Sequence, residues 1–205
     1  MARKRKFIAV AGNMGAGKTE LVNFLCRRYD LKPFFEPNEG NPYLEDFYED
    51  MKAWGFHSQI YFLTHKFRLH RQLEQERGTV VQDRTIYEDA EIFARNLYLQ
   101  RRISRRDWQT YQELYQVVSE ALTPPDLMIY LRASVRTIRK RIKLRGRREE
   151  QQVPLRYLRR LNQLYEEWFD RYDLSEVLVL ETDKMDYLQD LVDRLDLLKR
   201  IERHL

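Results

Sequence analysis

Residues 12–19 read G-N-M-G-A-G-K-T and fill every fixed position of the phosphate-binding pattern G-x-x-x-x-G-K-[ST]. The apolar run F-I-A-V-A (7–11) comes directly before this stretch, and a helical pattern starting near Lys18 follows it. Glycines let the chain curl so that main-chain N–H groups point at phosphate oxygens, above the positive end of the helix. The sequence therefore predicts a strand, a phosphate loop (residues 12–19) and a helix that bind a nucleoside triphosphate.

The phosphate loop also carries two side chains with predictable chemistry. Lys18 can reach the β- and γ-phosphates, and the Thr19 hydroxyl can ligate Mg²⁺. We therefore expect Mg²⁺ at Thr19. The residues expected to bind the nucleoside triphosphate are Gly12, Asn13, Met14, Gly15, Ala16, Gly17, Lys18 and Thr19.

Length and composition indicate one globular domain over residues 1–205. The chain is 43% hydrophobic and 13% aromatic, which is enough apolar material for one sizeable core. No apolar stretch approaches the ~20 residues of a membrane span, and the basic start lacks a signal-type apolar segment. The one cysteine, Cys26, cannot form an internal disulfide. These features favour a cytoplasmic protein with no membrane partner.

The net charge of +5 arises from one part of the chain. Residues 132–148 hold nine of the 37 basic residues and no acidic one, and 32 acidic residues outnumber the other 28 basic ones. A nucleic-acid-binding surface is normally broader than this. We therefore expect no nucleic-acid partner, and a nucleic-acid-binding ATPase remains a minor alternative.

Apolar runs and helical patterns alternate along the chain. The runs predict strands at 6–11, 31–35, 79–82, 126–131 and 177–181. Helical spacing of apolar residues recurs at 43–76, 86–101, 104–122, 134–145, 154–171 and 186–203. This alternation is typical of the α/β class, here a five-stranded parallel sheet with helices on both faces.

Charged residues follow several of the predicted strands. Ligands of open parallel sheets bind beyond the carboxyl ends of the strands, so these residues should converge. Glu36 is a candidate general base for a hydroxyl acceptor. Asp83 could be that base or could position Mg²⁺, and Arg84 could hold the acceptor oxygen and the migrating phosphoryl group. Asp183 follows the last strand.

The arginine-rich stretch at about 139–150 predicts a lid. Arg141 and Arg145 lie four residues apart on one helical face, where their charges repel unless phosphates lie between them. Gly146 should then break or hinge the helix. We expect this segment to close its arginines over the triphosphate and exclude water.

Five linked motifs, in this order, resemble those of the deoxynucleoside kinases. They are the phosphate loop, E-P (36–37), F-Y-x-D…W-x-F-x-x-Q (47–59), D-R-T-I-Y-E-D (83–89) and L-R-G-R-R-E-E-Q-x-x-P-L-x-Y-L (144–158). The likeness runs from about residue 6 to 183. The form of the fourth motif and the segment N-P-Y-L (41–44) look most like the bacterial purine branch, which implies deoxyadenosine or deoxyguanosine, or else deoxycytidine, as substrate.

The resemblance implies a P-loop kinase fold, ATP as the donor and a role for each matching residue. Glu36 and Asp83 would flank the 5′-hydroxyl, and the family pattern leaves open which of them accepts the proton. The catalytic set is then Lys18, Glu36, Asp83 and Arg84. Tyr48 and Glu150 would bind the 3′-hydroxyl, Gln59 and Asp89 would contact the base, and Phe93 would stack near it. Arg141, Arg145 and Arg147 would form the lid, and Asp183 would lie by the adenine of ATP.

The chain departs from the family pattern at two positions. Asn38 follows the E-P pair where an apolar residue is usual, and Lys66 stands where an arginine more often partners the acid at Asp89. Lysine lacks the bidentate fork of arginine, so the base preference stays open. The family is commonly dimeric through the helices after the second and third strands. The aromatic-rich patterns at 43–67 and 92–117 suit such a homodimer and would equally suit a core.

Two other nucleotide-binding classes share part of the pattern. A thymidylate-like monophosphate kinase would need extra arginines at the acceptor, where Glu36 would instead repel a 5′-phosphate. A GTPase-like switch would need N-K-x-D, which D-K-M-D (183–186) approaches, and a D-x-x-G after the third strand, which is absent from the sequence. The sequence therefore favours a deoxynucleoside kinase.

Overall fold

The computed structural model describes residues 5–35, 40–147, 153–185 and 190–204, and these form a parallel sheet of five strands. The strand order is β2-β3-β1-β4-β5, and all four neighbouring pairs are parallel. The strands are β1 (Phe7–Ala11), β2 (Lys32–Phe34), β3 (Val80–Asp83), β4 (Leu127–Arg132) and β5 (Glu176–Glu181). The expected sheet is confirmed, with β1 at its centre.

Helices cover the two faces of this sheet. They are α1 (Lys18–Tyr29), α2 (Leu44–Glu49), α3 (Met51–Glu74), α4 (Ile86–Glu88), α5 (Arg95–Leu99), α6 (Arg105–Glu120), α7 (Val135–Arg145), α8 (Leu155–Phe169) and α9 (Leu191–Glu202). A π-helical segment, Asp89–Ala94, joins α4 to α5. Across the described ranges, no helix is both long enough and apolar enough to cross a membrane.

The central strands are buried on both faces because their residues alternate between two cores. Ile8 and Val10 of β1 pack with α1 and α9 on one face. Phe7 and Ala9 point the other way, into a core built with α3, α6 and α8. The sheet thus lies between two helical layers, and the carboxyl ends of β1, β3 and β4 form a common edge.

Two predicted helical stretches differ in detail from the structure. The 43–76 pattern is interrupted at Asp50, whose carboxylate accepts hydrogen bonds from the Lys52 and Ala53 amides and so starts a new helix. The 86–101 stretch contains the π-helical segment. The sequence did not predict it, because apolar spacing does not distinguish one widened turn from a regular one. Residues 186–189 of the last pattern lie outside the described residues.

Candidate active site

Three glycines of the phosphate loop have backbone conformations that favour glycine, and two of them, Gly12 and Gly17, are fixed positions of the motif. Gly12, Gly15 and Gly17 have φ values of 149°, 71° and 100°. A Cβ at Gly12 would lie 2.9 Å from the Leu131 carbonyl oxygen, and one at Gly15 would lie 2.9 Å from Ile142 Cγ1. The loop is therefore pressed against β4 and α7, with no room for a side chain at either position.

Lys18 lies folded beneath this loop. Its Nζ donates to the carbonyl oxygens of Gly12 (2.9 Å) and Asn13 (3.2 Å), and only 8% of the residue is exposed. The ammonium group is thus held by the same turn whose amides are expected to bind phosphate. This position suits a cation that neutralises the β- and γ-phosphates.

Thr19 and Asp83 meet at the edge of the sheet because β1 and β3 are parallel neighbours. The Thr19 hydroxyl donates to Asp83 Oδ2 at 2.6 Å, and Asp83 Oδ1 is buried without a hydrogen-bond partner among the described residues. A hydroxyl beside a carboxylate with an unused oxygen is a donor set that fits Mg²⁺, which usually takes one or two protein oxygens plus phosphates and waters. No cluster of three or more potential metal-ligating side chains occurs in the part of the chain that the structure describes.

Arg84 occupies a strained position directly after β3. It has a φ of 60°, and its amide donates to the Val10 carbonyl oxygen at 3.1 Å. Its guanidinium lies 4.6 Å from the centre of the Phe93 ring, a cation–π contact. The fully buried Lys66 donates to the Arg84 carbonyl oxygen at 2.8 Å, so this lysine helps to fix the turn.

The residues expected on the acceptor side differ in exposure. Gln59 and Asp89 are buried, and Gln59 Oε1 has no partner within the described ranges. Tyr48 is 60% exposed, so it is not a core residue. It lies near Tyr157, a residue to which the sequence analysis gave no role, and burial followed by the electrostatic effect of Tyr48 raises the pKa of Tyr157 to about 12. Glu36 and Glu150 lie outside the described residues.

The comparisons with known proteins agree with this geometry. Residues 8–205 match the family model of the deoxynucleoside kinases. The chain belongs to the deoxynucleoside kinase family. It is 38% identical over 191 residues to a deoxyadenosine/deoxycytidine kinase of Bacillus subtilis, covering 91% of this chain and 87% of that protein. A deoxyadenosine kinase of Dictyostelium discoideum is 42% identical over 171 residues, covering 83% and 69%.

The solved structures support the same assignment. The deoxyadenosine kinase of M. mycoides with bound dATP superposes with a TM-score of 0.82 at 32% identity, covering 97% of this chain and all of that one. The fold, the activity class and the resemblance expected from the motifs are therefore confirmed for this deoxynucleoside kinase.

The arginines of the expected lid occupy two different environments in this kinase. Arg141 donates to the Ala16 carbonyl oxygen (2.9 Å) and to Thr182 Oγ1 (3.0 Å) and O (2.7 Å). Helix α7 ends at Arg145, and Gly146 follows with a φ of 74°. Arg145 and Arg147 are exposed at this end. Arg141 is thus hydrogen-bonded to the phosphate loop and to the residue after β5, whereas Arg145 and Arg147 lie at the exposed end of α7.

Asp183 has a local structural contact in addition to its expected place near the donor base. Its Oδ1 accepts a hydrogen bond from the Ser134 amide at 2.8 Å, just before α7. Burial opposes ionisation, but hydrogen bonds from Ser134 and Thr137 and the charge of Arg141 lower the pKa of Asp183. The carboxylate therefore holds the loops after β4 and β5 together.

Glu88 is the main site residue that the sequence analysis missed. It is fully buried, and its Oε1 accepts from the Gly12 amide (3.2 Å) and the Tyr165 hydroxyl (2.9 Å). Its Oε2 accepts from the Thr85 amide at 2.9 Å, the reciprocal half of a capping box. The spacing T-x-x-E at residues 85–88 is the signal that could have shown the capping contact. The contact with Gly12 follows only from tertiary packing.

Proposed function

We propose that this kinase transfers the γ-phosphoryl group of ATP to the 5′-hydroxyl of a deoxynucleoside and releases the 5′-monophosphate. The observation that carries the proposal is the meeting of Lys18 and Thr19 with Asp83 and Arg84 at one edge of the sheet. Phosphoryl transfer depends mainly on positioning and on charge neutralisation, and these residues supply both. The named relatives, which are deoxynucleoside kinases, support the same reaction.

Each residue near the transferred group has a proposed task. The loop amides and Lys18 bind the β- and γ-phosphates, and Arg84 holds the acceptor oxygen and the charge that develops on the phosphoryl group. Thr19 and Asp83 would hold Mg²⁺, which offsets phosphate charge when bound. Since Asp83 Oδ2 is engaged by Thr19, we assign the proton acceptor to Glu36.

A purine deoxynucleoside is the proposed acceptor. The buried Gln59, with its unused Oε1, can accept a hydrogen bond from a base edge, and the amide can also donate one. Lys66 lies on the same helix as Gln59, and Asp89 and Phe93 lie on the π-helical segment packed against that helix. These three residues complete the proposed base site, while Tyr48 and Glu150 are assigned to the 3′-hydroxyl. Relatives named as deoxyadenosine and deoxyguanosine kinases support this preference.

On the donor side, Arg141, Arg145 and Arg147 are proposed to contact the triphosphate, and Asp183 the adenine. The link from Arg141 to the Ala16 carbonyl oxygen places one of these cations against the loop. Arg145 and Arg147, at the exposed end of α7, would close over the phosphates as a lid.

A substrate panel tests the proposal. Initial rates with ATP and Mg²⁺ should be measured for the four deoxynucleosides, their ribose counterparts and dTMP, with separation of the nucleotide products. We expect 5′-monophosphates of the purine deoxynucleosides as the main products. Turnover of dTMP without turnover of any deoxynucleoside would overturn the proposal, as would nucleotide hydrolysis that needs no acceptor.

We also propose a homodimer formed through α3. The outer surface of α3, together with the preceding Tyr43, forms a groove of about 370 Å³ that is rich in aromatic residues. Its lining includes Tyr43, Phe56, His57, Ile60, Tyr61 and Thr64. Such a patch suits burial against a second copy of the chain. A cytoplasmic location is the matching proposal, because reducing conditions preserve the free thiol of Cys26.

A further inference from the structure

Glu88 makes more contacts than a helix-capping residue needs. A capping box uses one carboxylate oxygen to accept from the N-cap amide, and Oε2 of Glu88 does this with Thr85. The other oxygen reaches away from its own helix to the Gly12 amide and the Tyr165 hydroxyl. One side chain thus joins the phosphate loop, the turn after β3 and helix α8.

These contacts surround Glu88 with hydrogen-bond donors. The groups that contact its two oxygens are the Gly12 and Thr85 amides and the Tyr165 and Thr85 hydroxyls, at 2.9–3.4 Å. An ionised carboxylate accepts all four hydrogen bonds, whereas a protonated carboxyl would have to donate its proton to one of the two hydroxyls. Burial raises the pKa of Glu88, and the charges of Arg84 and Lys18, followed by the Thr85 and Tyr165 hydrogen bonds, act against this.

The two cations near Glu88 belong to opposite sides of the proposed reaction. Lys18 lies on the donor side and is held by the Gly12 carbonyl oxygen, while the Gly12 amide is held by Glu88. Arg84 lies on the acceptor side and directly precedes Thr85, from whose amide Glu88 accepts a hydrogen bond. A shift of about 1 Å between such groups can lower a rate by roughly 100-fold.

We infer that Glu88 is a positioning residue, which fixes the phosphate loop and the Asp83–Arg84 turn at the separation that in-line phosphoryl transfer requires. It acts through Gly12 and Thr85 and does not touch either substrate. The inference rests on the proposed reaction. Wild-type turnover of deoxynucleosides tests that reaction, and the ratio of variant to wild-type rates tests the role of Glu88.

The decisive experiment compares Glu88→Gln with wild type at saturating substrates, with kcat expressed per ATP-binding site and ATP sites counted by titration. The glutamine keeps the shape of the side chain but removes the charge and directs an amide N–H₂ group at a donor. We expect kcat per site to fall about 100-fold. A purely structural role would lower the melting temperature and the number of sites while leaving kcat per remaining site within about threefold of wild type, and that result would overturn the inference.

Three further variants make the test specific. Glu88→Asp keeps the charge but is one methylene shorter, so it should recover part of the lost kcat. Glu91→Gln removes a nearby carboxylate that pairs with Arg171 at the surface, and its kcat should match wild type. If Glu88→Gln does not fold, Tyr165→Phe decides: it removes one donor to Oε1 and should lower kcat about fivefold, the worth of roughly one hydrogen bond. An unchanged kcat in Tyr165→Phe would reject the inference.

Discussion

At the scale of single residues, Asp83 and Glu88 show how neighbouring buried carboxylates differ in their surroundings. Glu88 has donors on both oxygens, so it is fully engaged by the protein. Asp83 has the Thr19 hydroxyl on Oδ2, and its Oδ1 is unused within the described ranges. A buried carboxylate oxygen without a partner is costly unless a ligand supplies one. These surroundings support Asp83 as the proposed Mg²⁺ ligand and Glu88 as a structural link.

Asp83→Asn should weaken the use of Mg²⁺. The amide keeps the size of the side chain but loses the charge that would hold the ion with Thr19. We expect the Mg²⁺ concentration for half-maximal rate to rise about 10- to 100-fold, as measured by titrating Mg²⁺ at fixed ATP. Glu36→Gln is the matched control, because loss of the proposed proton acceptor should lower kcat without moving the Mg²⁺ midpoint. An unchanged midpoint in Asp83→Asn would contradict the assignment.

His70 is the residue through which we expect the free energy of unfolding to depend on pH. The imidazole is fully buried between Phe7 and Tyr87, and its Nε2 lies 2.9 Å from the Thr123 carbonyl oxygen. Burial lowers the pKa of His70, an effect that the Thr123 carbonyl and Glu74 oppose. Below the ordinary value of about 6.5, the unfolded chain binds a proton on this residue that the folded chain does not bind, so protonation favours unfolding.

The wild-type protein should therefore lose stability faster than His70→Gln as the pH falls from about 7.5 to 5.5. The measurement is the free energy of unfolding by urea at several pH values in this range for both proteins. The variant should be less stable at every pH, so the informative quantity is the slope of the free energy of unfolding against pH. Parallel curves for the two proteins would show that His70 does not contribute.

At the scale of elements, the phosphate loop links three neighbours that the sequence places far apart. Its glycines lie against β4 and α7, Asn13 Nδ2 donates to the Leu158 carbonyl oxygen of α8 at 3.1 Å, and Arg141 of α7 reaches Ala16. The donor site is thus shaped by packing between α7, α8 and the loop. A small change at this junction should alter both stability and ATP binding.

Gly15→Ala tests the junction of the loop with α7. The new Cβ would lie 2.9 Å from Ile142 Cγ1 in a residue with a φ of 71°. We expect the free energy of unfolding to fall by about 1–3 kcal/mol and the KM for ATP to rise. Gly78→Ala is the control, because Gly78 has no atom within 4 Å of the added Cβ and no positive φ. Its stability should change by less than about 1 kcal/mol, and equal losses in both variants would refute the account.

At the scale of the whole molecule, the proposed dimer would bury the aromatic groove on α3. The long helix α3 carries the buried Gln59 and Lys66 on its inner side, toward the proposed substrate site, and the groove on its outer side. Dimerisation would therefore stabilise the same helix that carries Gln59 and Lys66, the residues proposed to contact the base. The phosphate loop packs against β4 and α7, so the proposed dimer interface on α3 does not involve the elements that hold this loop.

Thr64→Arg should dissociate the dimer. Thr64 is exposed in the groove, and a two-fold interface would bring two added arginines close together beside Arg68. Light scattering after size exclusion should give twice the chain mass for wild type and the chain mass for the variant. Leu195→Arg, on the exposed side of α9, should leave the mass unchanged. A wild-type protein with the mass of one chain would contradict the proposal.

The sequence by itself determined the class of fold and the order of strands and helices along the chain, and it supplied the residues that we propose for the donor site. A fixed glycine spacing before Lys18-Thr19 specifies a local backbone shape, and alternating apolar runs specify a covered parallel sheet. Both signals are local, so they could be derived without knowledge of distant contacts. The five strands were placed within two residues of their observed ends for the same reason.

Only the tertiary structure decided the strand order, the interruption at Asp50, the π-helical segment and the contacts of Glu88, Lys66 and Arg141. Gly12 and Glu88 are separated by 76 residues, and Lys66 reaches a carbonyl oxygen 18 residues away. Such contacts depend on which strands become neighbours and on how helices pack across them. The spacing of residues along the chain does not tell which distant residues come into contact. The contacts of Glu88, Lys66 and Arg141 therefore appear only in the folded molecule.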